Sequence, residues 1–280
     1  MAVTIAKADG TQEPFNPEKL VGSLVRAGAE HSDARTIARH IEGELYNGIT
    51  TQEIYRHAFA QLREIRRGTA ARYSLKRALL EFGPSGFPFE AYMAELFKTE
   101  GYKTKIDQIV PGACVEHEVD VILRRKDEVT FVEAKFHNAA GFKTDLKTVL
   151  YVKARLEDIA AARNAKGETE SMRGLIVTNT KFTGHAAQYA SCAGVELLGW
   201  EAPAGATLQD RIEKAGLYPV TALTTLGRRE KMALLSQKVV LCTTLPRQTR
   251  ALASAGVEGH RADRVLEEVA ALCTPKKDIK

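Results

Sequence analysis

Asp120, Glu133 and Lys135 form a set suited to phosphodiester chemistry. They lie in two strongly strand-forming stretches, Val119-Asp120-Val121-Ile122-Leu123 and Phe131-Val132-Glu133-Ala134-Lys135. Side chains alternate across a strand, so Glu133 and Lys135 share one face and Ala134 takes the other. The polar run Arg124-Arg125-Lys126-Asp127-Glu128 reads as a turn between them. A hairpin there sets Asp120 near Glu133, so two carboxylates and an ammonium converge. Such a set costs free energy unless it is used or paired. Phosphodiester hydrolysis is one use. Two carboxylates suit Mg²⁺, a hard cation that takes oxygen ligands and keeps several waters. A bound metal acidifies its water and screens phosphate charge. A lysine orients that water or stabilises charge on the pentacovalent phosphorus. The alternative is a surface hairpin with an ordinary Glu and Lys, since E-x-K triplets arise often by chance.

These strands need a frame, and the flanking sequence supplies one. Phe89–Thr99 has the spacing of an amphipathic helix. Residues 106–110, 117–123 and 129–136 read as strands. Asp145–Ala165 reads as a long helix, 174–178 as a short buried strand, 183–193 as a helix and 195–200 as a closing strand. Strands alternating with helices predict an α/β domain. Ahead of it, alternation over Val3–Lys7 followed by Asp9-Gly10 predicts a hairpin. Pro17 marks a helix start, and Thr50 with Glu53 makes a capping box before another helix. A further helix is expected from about Ala70 to Glu81, ending at Gly83-Pro84-Ser85-Gly86. Beyond Pro203-Ala204-Gly205 the chain reads as short helices broken by Gly216, Pro219, Gly227, Pro246, Gly256 and Gly259. The expected fold class is α/β (α+β) and multidomain, with segments 1–85, 86–202 and 203–280.

The bulk numbers narrow the class. With 44% hydrophobic and 27% charged residues in 280, the chain is globular rather than disordered. It has no apolar run near the roughly 20 residues of a membrane span, and residues 1–10 lack a signal-peptide pattern. A cytoplasmic protein with no membrane partner is expected. Cys114, Cys192, Cys242 and Cys273 are widely spaced and read as scattered buried thiols rather than a zinc or disulfide framework. The net charge of +5 equals the surplus of residues 203–280, which hold 13 Lys+Arg against 8 Asp+Glu. A basic end can bind a polyanion, or be an ordinary solvated face.

Glu118-Val119-Asp120-Val121 followed by Phe131-Val132-Glu133-Ala134-Lys135-Phe136 resembles the PD-(D/E)xK nuclease superfamily. Gly174–Asn179, Phe182-Thr183, Ala186-Ala187 and Leu197-Leu198-Gly199-Trp200 resemble its Mrr-type restriction endonucleases, and the match spans 87–200. The resemblance implies a mixed central sheet flanked by helices and DNA cleavage that depends on Mg²⁺ (or Mn²⁺). It makes Asp120 and Glu133 metal ligands and Lys135 the catalytic lysine. Glu90 matches an acidic residue that many members add from the preceding helix; otherwise it is a helix-start carboxylate favoured by the dipole. His117, His137 and Asn138 flank the strands as weaker candidates for touching phosphate. Asp145, Lys147, Lys153 and Arg155 are candidates for a substrate groove, or a solvated helix face. Double-strand cleavage needs two sites, so a homodimer or higher homo-oligomer is expected.

The first segment resembles the ATP-cone, a nucleotide-binding regulatory module. The likeness rests on Lys7-Ala8-Asp9-Gly10, Glu13, Phe15-Asn16, Lys19-Leu20 and Gly48–Tyr55, and continues in Ala71–Leu75. It implies a β-hairpin over a small helical bundle that binds ATP or dATP. Lys7 and Lys19 would meet phosphates, Glu13 and Asn16 would lie near the nucleotide, and Thr51 and Tyr55 would face it. Ala8 departs from the basic residue common at that position. In the third segment, Leu217–Val220, Leu226–Lys231 and Ala255–Val257 with Arg261 and Arg264 loosely resemble helix-hairpin-helix DNA-binding modules. Three readings stay open: a nucleotide-controlled endodeoxyribonuclease, a nucleotide-sensing DNA-binding regulator without cleavage, and a structure-specific repair nuclease.

Overall fold

Asp9-Gly10 turns the chain between β1 (Thr4–Ala6) and β2 (Gln12–Pro14), with Gly10 at φ +82°. That left-handed backbone is one glycine adopts without a Cβ clash. Asp9 closes the turn by accepting from the Thr11 hydroxyl at 2.6 Å. Helix α1 (Pro17–Arg26) starts where Pro17 cannot donate and Asn16 accepts from the N–H groups of Glu18 and Lys19. After α2 (His31–Glu44), α3 (Thr51–Ile65) begins at the reciprocal Thr50–Glu53 box. Leu24, Ile37, Ile41, Ala58 and Leu62 pack as a buried cluster. The helix expected from Ala70 to Glu81 is instead two, α4 (Arg67–Tyr73) and α5 (Leu75–Leu80). The Ser74 hydroxyl donates back to the Ala71 carbonyl at 2.8 Å, the local bond that competes with a helix ladder.

This computed structural model describes residues 3–273, so the basic tail 274–280 lies outside the described residues. The chain forms two compact units, one of residues 1–81 with 216–280 and one of 82–215.

In the second unit, α6 (Phe87–Thr99) buries Phe89, Tyr92, Met93, Leu96 and Phe97, the i, i+3, i+4 stripe of one face. It packs on β3 (Lys103–Pro111), β4 (Glu116–Arg125) and β5 (Glu128–Lys135). A short pair follows, β6 (Lys143–Thr144) with β8 (Lys181–Phe182). Helix α7 (Leu146–Ala165) is capped by Asp145 and leads to β7 (Ser171–Thr178). Helix α8 (Gly184–Ala193) leads to β9 (Val195–Leu198). The five-stranded sheet runs β3-β4-β5-β7-β9, antiparallel through β5 and parallel beyond it. A mixed sheet flanked by helices is the fold class the sequence implies. Central β5 is buried almost throughout, as a strand with partners on both edges and helices on its faces must be. Gly174 lets α7 lie close, since a Cβ there would sit 2.1 Å from Leu156 Cδ1. Helix α9 (Leu208–Ala215) packs on α6, with Arg211 3.2 Å from Glu100. The unit therefore extends past residue 202, where the sequence signals a linker.

The C-terminal helices α10 (Arg228–Ser236), α11 (Thr249–Ser254) and α12 (His260–Cys273) belong to the first unit. Arg72 of α4 donates to the Ala271 and Leu272 carbonyls at 3.0 and 3.3 Å, satisfying the last turn of α12. Glu268 of α12, 5% exposed, accepts four bonds of 2.6–2.9 Å from the N–H and hydroxyl groups of Thr224 and Thr225. Truncating it leaves four part-buried donors without their acceptor. Glu268→Ala is expected to cost about 3 kcal/mol or more, read as a lower denaturation midpoint in urea. A loss under about 0.5 kcal/mol, the range of an ordinary surface change, would contradict this account. The cysteines correct an expectation. Cys114 and Cys192 are exposed, Cys273 is half-buried and only Cys242 is buried. No helix among the described residues is long and apolar enough to cross a membrane.

Candidate active site

The β4–β5 ladder pairs Arg125 with Glu128 and runs to Val121 opposite Val132. One step further, where Asp120 would face Glu133, main-chain pairing stops. The Asp120 carboxylate takes over and accepts from the Ala134 N–H at 2.6 Å. The β5–β7 ladder continues undisturbed to Lys135 opposite Thr178. The strands thus part on one side of β5 only, and the opening holds Asp120, Glu133 and Lys135. Lys135 Nζ lies 3.9 Å from Glu133 Oε1 and is 47% exposed. The three residues read from the sequence therefore come together on one face, in the arrangement strand alternation predicts.

Glu133 is nine-tenths buried, and its other oxygen, Oε2, accepts from Arg155 Nη1 of α7 at 2.7 Å. Arg155 is 10% exposed, its guanidinium lies 4.7 Å from the Tyr151 ring centroid, and its Nε is buried without a hydrogen-bond partner. A charged group enters such a place at a high desolvation cost, offset here by Glu133. The sequence offered Arg155 only as one of several helix-face residues. Its spacing carried a signal: Arg155 stands three residues after Val152 and four before Ile159, at the edge of the buried stripe of α7.

Negative charge is crowded at this face. Burial and then the Glu133 charge push the Asp120 carboxyl up to about 6. Glu90 on α6 rises to about 7 by burial and by the Asp120, Asp107, Glu118 and Glu133 charges. A cation at the site would relieve this crowding. No three His, Cys, Asp or Glu side chains among the described residues form a metal cage by themselves.

The flanking candidates divide. His117 is paired to Asp158 at 2.7 Å, and Asp158 also accepts the Cys114 N–H at 2.8 Å, pinning the β3–β4 turn to α7. Asp145 caps α7, and Lys153 pairs with Glu157 at 3.3 Å. Asn138 is exposed, as is Lys147. His137 follows β5, and its backbone is clamped on both sides by fully buried Asn179. The Asn179 side chain accepts from the His137 N–H at 2.9 Å and donates to its carbonyl at 2.7 Å. The clamp was not read from the sequence, because nothing local couples residues 42 apart.

In the other unit, Glu13 joins Lys7 at 2.6 Å and Lys19 at 3.4 Å. Asn16, as the α1 cap, lies beside Lys19. An isolated parallel bridge joins Ala6 to Thr50, the residues just before Lys7 and Thr51. Tyr55, one turn along α3, stacks on Tyr73 at 5.2 Å and Phe59 at 5.8 Å.

A split mixed sheet with carboxylates and a lysine at the split defines a restriction-endonuclease-like domain. The family model for restriction endonuclease matches residues 84–202, that for the ATP cone domain 3–80, and that for the AF1548-like C-terminal region 218–273. An uncharacterized protein of Archaeoglobus fulgidus is 40% identical over 131 residues, 47% of this chain and 71% of its own length. The crystal structure of AF1548, a protein of unknown function, is 32% identical with a TM-score of 0.55, over 68% of this chain and 98% of that one. The MspJI restriction endonuclease in complex with a 27-mer oligonucleotide is 14% identical with a TM-score of 0.31, over 85% of this chain and 49% of that one, too distant to carry an argument. The chain belongs to the AF1548-like family, and it carries an Mrr-like restriction-endonuclease domain and an ATP-cone domain.

Proposed function

We propose that the chain is a Mg²⁺-dependent endodeoxyribonuclease whose cleavage responds to ATP or dATP. The observation that carries this reading is the parting of β4 from β5 at Asp120, which gathers two carboxylates and an exposed lysine where main-chain pairing ends. Asp120 and Glu133 would hold the metal, and Glu90, whose carboxyl is raised by both of their charges, would join through water. The ion would supply an acidified water and a screen for phosphate charge. Lys135 donates hydrogen bonds to a non-bridging phosphate oxygen and stabilises the charge that builds there. Arg155 keeps Glu133 in one rotamer. Cutting both strands needs two such sites, so a homodimer is the working assembly, and the protein acts on DNA in the cytoplasm. Three parts divide the work: a nucleotide sensor over 1–81, the nuclease over 82–215 and a basic DNA-holding segment over 216–280 that shares a unit with the sensor.

Supercoiled plasmid incubated with the full chain should be nicked with Mg²⁺ or Mn²⁺ and left intact with EDTA. Tight, salt-sensitive binding with no cleavage under any metal or nucleotide would favour the non-cleaving regulator instead.

The nucleotide part has its own test. Glu13 neutralises the mutual repulsion of Lys7 and Lys19 and keeps both beside the hairpin. Each charge-assisted phosphate bond lost should weaken binding about tenfold. Lys7→Ala and Lys19→Ala are each expected to show that loss for ATP by calorimetry. Failure of the unaltered chain to bind ATP or dATP would make the first segment a packing module.

A further inference from the structure

Two exposed aromatic rings flank the candidate active site, and each is backed by a group tied to it. Phe142 is 61% exposed and lies parallel to His137 in an offset stack, with centroids 5.9 Å apart and planes 6° apart. His137 lies two residues beyond Lys135, with its backbone clamped by Asn179 and its Nε2 3.2 Å from the Thr144 hydroxyl. The β6–β8 pair holds the chain just after Phe142. Tyr151 is 59% exposed and lies over Arg155, the partner of Glu133. Residues 135–147 carry three lysines and one aspartate.

Exposed aromatics cost solubility, and a scattered one needs no explanation. These two differ in lying against held side chains, one two residues past Lys135 and the other paired to Glu133. Separate rings within a cationic rim match a polyanion with planar faces. Bases in a paired duplex are stacked on one another and hide those faces; bases of an unpaired strand present them. A held ring also loses little side-chain freedom when a base stacks on it.

We infer that Phe142 and Tyr151 are stacking platforms for unpaired bases, and that the site takes a single-stranded segment of DNA. This rests on reading the site as a DNA-cleaving one. The test is binding by the full chain without divalent metal, followed by fluorescence anisotropy, using a labelled mixed-sequence single strand and the same strand in a blunt duplex. The single strand should bind more tightly. Phe142→Ala and Tyr151→Ala should each weaken it about tenfold, with duplex binding unchanged. Phe142→Trp, which keeps a ring, should retain it. Thermal melts establish that the variants fold, as expected for side chains more than half exposed. Equal affinity for both DNAs, or alanine variants that bind the single strand normally, overturns the inference. Because metal is absent, the outcome is separate from cleavage. Ring-dependent binding with no metal-dependent cleavage of that single strand or of plasmid keeps the platforms and sinks the nuclease. Nicking without strand preference does the reverse.

Discussion

Lys135→Ala is expected to lower metal-dependent plasmid nicking about 10²- to 10³-fold, the usual cost of removing a donor aimed at developing charge. The side chain is half exposed, and the ion-pair distance to Glu133 is 3.9 Å, so the fold has little to lose. Surface changes of this kind stay within about 0.5 kcal/mol. Metal binding should survive, because the carboxylates remain. The measurement is the initial nicking rate in Mg²⁺, with Mn²⁺ binding followed in parallel. A rate within about threefold of the unaltered chain would remove Lys135 from the chemistry. Loss of both rate and metal binding would make it a positioning residue for the metal site.

Arg155→Ala should act differently. It leaves the buried Glu133 carboxylate with only Lys135, 3.9 Å from its other oxygen, and losing the close partner costs about 3–5 kcal/mol. A Tm roughly 6–15 °C lower is expected, using the usual scaling for a chain of this class. Arg155 and a bound cation would stabilise the same carboxylate. Removing the arginine should therefore make stability depend on metal, so saturating Mg²⁺ restores more Tm to the variant than it adds to the unaltered chain. Arg155→Lys keeps a charge but not the fixed planar donor, and it should recover stability better than cleavage rate. Equal Mg²⁺ responses in variant and unaltered chain would show that Glu133 is not where the cation binds.

The parts legible in the sequence were those set by local rules. The Asp9-Gly10 turn, the Thr50–Glu53 box, the β4–β5 hairpin and the stripe of α6 each depend on residues a few positions apart, and each forms as expected. Asp120, Glu133 and Lys135 met because strand alternation and one turn suffice to bring them together. The Arg155–Glu133 pair, the Asn179 clamp and the Glu268 bracket bridge 22, 42 and more than 40 residues. No propensity encodes such partners; they follow from how α7, β7 and α12 pack. The split helix at Ser74 is a smaller case, where one hydroxyl outcompetes a good helical pattern.

The Asp120 carboxylate has two employments. Oδ2 closes the sheet by accepting from Ala134, where a main-chain oxygen would ordinarily stand. Glu133 is divided the same way, with Oε2 given to Arg155. At both positions one atom belongs to the architecture and, in the proposed function, its twin to the chemistry. An inactive alanine variant at either position therefore cannot say which was lost. An amide replacement, which retains an accepting oxygen while removing the charge, separates a broken scaffold from a silenced one.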